Sequence, residues 1–196
     1  MARRVEKFRL EEMTEEQRGI YETITGGPRA SMPQIFPMVD EQGLLEGPFN
    51  AWLINPVLGQ ALEVMGSAYR DGMSSLNRRC REISILIIAK RYACDFELYA
   101  HIRVARDAKL EEEAISDLVA GREHRFSDAS EQVVADTTRV LLERHDLDDA
   151  EYARALDALG IQGVFALVWL VAWYAMLAMQ LNVLRVPLPD GQHIGD

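Results

Sequence analysis

Cysteine is scarce in this chain: Cys80 and Cys94 are the only two in 196 residues. Their separation matches no zinc or redox spacing and two thiols make no disulfide framework, so a reducing, cytoplasmic setting is expected. No glycine-rich loop follows a strand pattern, which removes the usual phosphate cradle of flavin, nicotinamide and nucleotide-triphosphate proteins. Sustained strand alternation, low-complexity tracts and internal repeats are missing too. With 48% apolar residues, these absences describe a folded all-α chain. The basic amino terminus, MARRVEKFRLEEM, is followed by no apolar h-region, so no secretory signal is expected. Glu97 and His101 form one i, i+4 ligand pair, but a metal site needs more ligands; His124, His145 and His193 lie in unrelated contexts, and no metal or other cofactor is expected.

Charge is present but unevenly spread. The 31 acids outnumber the 21 bases, a formal net charge of -10, which disfavours nucleic acid and anionic membranes as partners. Residues 70–109 reverse the sign, with nine bases against five acids. A basic region suits a small carboxylate-bearing molecule; it equally describes a helical surface whose arginines face solvent or an oligomer partner. The uncharged run Val164–Met179, 16 residues long, is short for a membrane span. It is expected to be a helix buried on nearly all sides, in the core or against a partner subunit.

One sizeable core is expected for this length, with an arm, short helix and loop over 1–46, a helical domain over 47–185 and a tail over 186–196. Thr14 with Gln17 fits a capping box opening a helix to about Thr23, stopped at Gly26-Gly27-Pro28. Residues 28–50 hold Pro28, Pro33, Pro37 and Pro48 and read as a surface loop of the kind that lines sites. Within GPFNAWL, Phe49 and Trp52 are candidates for packing or ligand contact, and Asn50 for holding a substrate oxygen. Asn55-Pro56 starts a helix ended by Asp71-Gly72. Ser74 or Ser75 is expected to cap the next, which runs through Asn77 to about Arg91. Further helices are expected from about Cys94 to Asp107, from Glu111 to Ala120 with Gly121 as the stop, and from Ser127 or Asp128 to Arg144. Two more run from Asp148 to Leu159, closed by Gly160, and from Ile161 to Leu184.

The chemistry concentrates in Arg81–His101, REISILIIAKRYACDFELYAH. Cys94, Glu97 and His101 are spaced three and four apart, so a helix places them on one face over two turns. A histidine titrates near neutral pH, and a carboxylate one turn away fixes its tautomer or carries a proton. Glu82 must reach this cluster from the preceding helix; buried beside aliphatic surface it needs a cation or a raised pKa. The plain structural alternative makes His101 a half-buried framework residue and Cys94 a small core hydrophobe.

This segment, continued by IRVARDAKLEEEAI, resembles the shared motif of the carboxymuconolactone decarboxylase and alkylhydroperoxidase D superfamily. The redox branch has a glutamate, a CxxC pair and a histidine at fixed gaps, falling here on Glu82, Cys94, position 97 and His101. Position 97 is glutamate, so the CxxC dithiol is missing, and Cys80 does not restore it. DFELYAH is similar to the decarboxylase-like branch, with Leu98 where tryptophan is usual. GPFNAWL, FSDASE and AMLAMQLNVLRVPLP extend the likeness over most of the chain from residue 47 onward.

The resemblance implies an alkylhydroperoxidase D-like helical bundle without cofactor, assembled as a homotrimer or homohexamer. It also implies lyase or isomerase chemistry in aromatic-compound catabolism, on a small carboxylated or hydroxylated ring compound. His101 would be the proton donor or base, Glu97 would orient it or carry the proton, and Arg81 or Arg91 would grip a carboxylate. The other readings open at this point are a single-cysteine peroxidase-like stress protein using Cys94 and a non-catalytic oligomeric binding protein on the same scaffold.

Overall fold

The computed structural model describes residues 3–27, 30–31, 34–72 and 75–195. Among them are eight α-helices, one 3₁₀ turn at Leu10–Glu12 and a single isolated bridge between Val39 and Leu45. The protein is all-α. It divides into two compact units, 1–72 with 180–193, and 73–179 with 194–196. Pro28, expected to help stop a helix, Pro33, expected in the loop, and Ser74, an expected cap, lie outside the described residues.

In the first unit, α1 (Glu15–Gly26) opens on the capping box: Thr14 accepts from Gln17 N–H, and the Gln17 side chain returns to the Thr14 N–H. The helix runs three residues beyond Thr23. GPFNAW forms α2 (Gly47–Trp52) with proline in its first turn, so the end of the expected loop is helical. α3 (Pro56–Gly72) begins where Asn55 Oδ1 accepts from Leu58 N–H. α1 and α2 both pack on α3, and Gln17 reaches across to donate to the Leu53 carbonyl at 2.8 Å.

The second unit is built around α4 (Arg78–Arg91), which packs on α5 (Asp95–Asp107), α6 (Glu112–Ala120) and α7 (Ala129–Arg144). Every residue from Glu82 to Ala89 is buried. That follows from a run apolar almost all round, which a helix can satisfy only by taking neighbours on several sides. Its cap is Asn77, whose Oδ1 accepts from Cys80 N–H at 2.8 Å. Ser75, one of the two expected caps, instead donates to the Gln162 carbonyl. Gly121 (φ 79) ends α6 and Asp128 caps α7, both at the positions expected.

α8 (Asp149–Leu184) is broken at Gly160, whose φ of 65 and ψ of 169 lie outside helical space. The expected boundary between Leu159 and Ile161 is therefore this break. By length and composition α8 is apolar enough to span a membrane, and 56% of its most apolar window is buried within the protein. Burial on nearly all sides is not what the chain itself provides: Leu167, Leu170 and Ala178 are buried, whereas Ile161, Phe165, Val168 and Met179 are exposed.

Candidate active site

The turn between α4 and α5 sets the site. Ala93 adopts a left-handed conformation (φ 49), and Cys94 donates its N–H to the Ala89 carbonyl, closing α4 as α5 begins. Cys94 is the N-cap of α5 and precedes its first helical residue, Asp95. Glu97 falls in the first turn and His101 one turn later. The chain reverses, so Glu82, in the second turn of α4, is brought alongside His101 from the preceding helix.

His101 lies between two carboxylates. Its Nδ1 is 2.7 Å from Glu82 Oε2, a hydrogen bond, and its Nε2 is 3.3 Å from Glu97 Oε2, an ion-pair distance. A carboxylate only accepts, so Nδ1 carries the proton that Glu82 holds. Both acids are buried, and the His101 side chain is 12% exposed. Tyr174 of α8 lies beside it, its ring perpendicular to the imidazole with centroids 5.0 Å apart.

These positions move the protons. Burial pushes the Glu97 carboxyl up to about 7; Glu82 adds to the rise and the His101 charge opposes it. Burial works to lower the His101 pKa, but the charge and hydrogen bond of Glu82, helped by Glu97, outweigh it and hold it above 6.5. The cluster thus combines an imidazole whose charged form is favoured by its carboxyl neighbours with a Glu97 carboxyl that exchanges its proton near pH 7. The orienting partner of His101 is Glu82, and Glu97 is the acid placed to carry a proton.

Cys94 is fully buried, and burial pushes its thiol up to about 12. A nucleophilic thiolate requires the opposite environment. Cys80 is likewise buried and pushed up to about 12.

Phe49, Asn50 and Trp52 belong to the first unit and work there. Asn50 Oδ1 accepts from the Phe8 N–H at 3.0 Å and its Nδ2 donates to the Glu6 carbonyl at 3.2 Å. The amide considered for a substrate oxygen thus pins the amino-terminal arm. Phe49 and Trp52 are buried and meet edge to face at 5.3 Å. Arg81 immediately precedes Glu82, whereas Arg91 is exposed at the far end of α4, about 14 Å further along the axis at 1.5 Å per residue.

Several bases of the stretch 70–109 are answered within the fold. Arg79 bonds to Glu131 at 2.5 and 3.2 Å, to Glu111 at 2.8 Å and to the Lys109 carbonyl. Arg78 pairs with Asp107, Arg106 with Glu112, and Arg103 lies 4.0 Å over the Tyr99 ring. These arginines tie helices together and leave less field for steering an anion than composition implies. Tyr174 is the neighbour of His101 that sequence reasoning does not single out; its signal is that it carries the only hydroxyl in the uncharged run 164–179.

Among the described residues, no group of three or more His, Cys, Asp or Glu is arranged to hold a metal ion. Both His101 nitrogens already face carboxylates. Compared with protein-family models and with curated protein sequences, the chain gives no match.

Proposed function

We propose that the protein is a lyase or isomerase of the carboxymuconolactone decarboxylase type, on an alkylhydroperoxidase D-like scaffold, moving a proton on a small carboxylated or hydroxylated ring compound without a cofactor. The observation that carries this reading is His101 held between buried Glu82 and Glu97, with the Glu97 proton labile near pH 7. An acid–base pair works best when its pKa lies near the working pH.

In a decarboxylation of this kind the bond from ring carbon to carboxylate breaks and carbon dioxide leaves. The electron pair enters the conjugated ring as a dienolate. The His101 Nε2–H stabilises the developing oxygen charge, and a proton relayed through Glu97 or His101 from solvent returns to carbon. The substrate's carboxylate lies away from Nε2, where the oxygen charge develops, with Arg81 the nearer of the two candidate arginines along α4. The same scaffold fits a homotrimer or homohexamer, for which the exposed apolar side of α8 offers surface.

Turnover of carboxylated unsaturated lactones, followed by carbon dioxide release and by deuterium uptake from solvent, tests the reading. The wild type is expected to incorporate one deuterium from solvent at a carbon of the dienolate, and His101→Gln to be slower by about 10²- to 10⁴-fold. Equal rates for the two proteins would sink it.

A further inference from the structure

We infer that Tyr174 is a positioning residue for His101: its ring fixes the plane of the imidazole and limits how far Nε2 closes on Glu97. The inference rests on the proton-transfer reading above.

The geometry of the three contacts supports it. The bond from Nδ1 to Glu82 anchors one ring atom at 2.7 Å, but a single hydrogen bond leaves the ring free to tilt about the line of that bond. Glu97 does not remove this freedom, since Nε2 at 3.3 Å makes an ion-pair contact and no aligned hydrogen bond. A small tilt would bring Nε2 onto Glu97 and consume the proton or lone pair that chemistry requires. Tyr174 approaches from α8, an element to which neither carboxylate belongs, and stands at 90° to the imidazole. A perpendicular pair of rings is an electrostatic minimum, edge against face, and resists the tilt left open by Glu82. Tyr174 is itself buried, so it can act as a wall. Its part depends on the ring, which phenylalanine reproduces and leucine does not.

The test uses the full-length protein and begins with a readout that needs no substrate. In ¹⁵N-labelled protein the His101 Nδ1–H resonance reports the bond to Glu82, and its exchange with water reports how firmly the ring is held. Tyr174→Phe is expected to keep the resonance and its slow exchange. Tyr174→Leu is expected to exchange about tenfold faster or more, as local opening becomes easier. In turnover, Tyr174→Leu should lose about 10- to 100-fold in kcat with little change in KM, the usual consequence of a misplaced catalytic group, while Tyr174→Phe stays near wild type. An unchanged ring proton in Tyr174→Leu overturns the inference, as does a phenylalanine variant that behaves like the leucine one. If Tyr174→Leu does not fold, Tyr174→Met is judged by the same two criteria. Because the ring proton is observed without turnover, failure of the proposed reaction and failure of the positioning role give different results.

Discussion

His101 Nδ1 and Glu82 Oε2 meet at 2.7 Å although the two residues are 19 positions apart and on different helices. Glu82 is thus the group that orients the imidazole and favours its charged form. With Glu82→Gln the negative charge is lost while burial, which lowers the His101 pKa, remains. The His101 pKa is therefore expected to fall, and turnover to drop by about 10²-fold or more. Titration of the His101 ring carbons by NMR in the two proteins checks the direction, and an unmoved midpoint contradicts it.

Glu97 predicts a pH dependence of stability. Folded, it takes up its proton near pH 7, against an ordinary value of 4.5. Between these values the folded chain holds more protons than the unfolded one, so stability falls as pH rises. His101 acts in the same sense, since a raised pKa contributes stability that is full below 6.5 and lost as pH rises through the folded value. Glu97→Gln removes the first contribution and weakens the second, since the Glu97 charge helps to hold the His101 pKa up. Urea unfolding between about pH 5 and 7 should show a slope shallower by up to about 1.4 kcal/mol per pH unit in the variant.

The parts legible in the sequence are those decided by neighbours along the chain. The Thr14–Gln17 box, Asn55-Pro56, Gly121, Asp128 and the break at Gly160 all follow from local backbone chemistry, and all stand where the residues place them. The α4 cap is not legible in this way, because Ser74, Ser75 and Asn77 are each competent and packing chooses among them. Glu97 and His101 can be paired by helical spacing, but the reach of Glu82 depends on how α4 and α5 turn at Ala93. Asn50 shows the opposite limit. Its type suits a ligand contact, and only the path of residues 6–8 reveals that the backbone occupies both ends of its amide. In α8 the uncharged run offers no polar face, so nothing in its pattern marks which side stays exposed.

Cys94 separates proton chemistry from thiol chemistry. Its thiol is buried and pushed up to about 12, so alkylation in the folded protein should be slower than that of a free thiol by about 10³-fold near pH 8. Cys94→Ala should cost about 1 kcal/mol through lost packing. Its effect on turnover should be within about twofold, since a buried neutral thiol supplies no nucleophile. Rapid modification of Cys94 by iodoacetamide, with activity lost in step, would revive the single-cysteine reading.

Two glycines with open space around them should respond in opposite directions to the same substitution. A Cβ at Gly19 or at Gly160 would have no neighbouring atom within 4 Å, so steric crowding is removed from both comparisons. Gly19 lies inside α1, where alanine narrows the unfolded ensemble and favours the helix; Gly19→Ala should stabilise by about 0.4–1 kcal/mol. Gly160, at φ 65 and ψ 169, occupies a region essentially closed to residues with a Cβ. Gly160→Ala should therefore destabilise by about 1–3 kcal/mol, through the backbone alone. Thermal unfolding of the two variants beside the wild type reads the sign directly. A neutral Gly160→Ala would mean that the two halves of α8 join through a different backbone conformation, one that alanine can adopt.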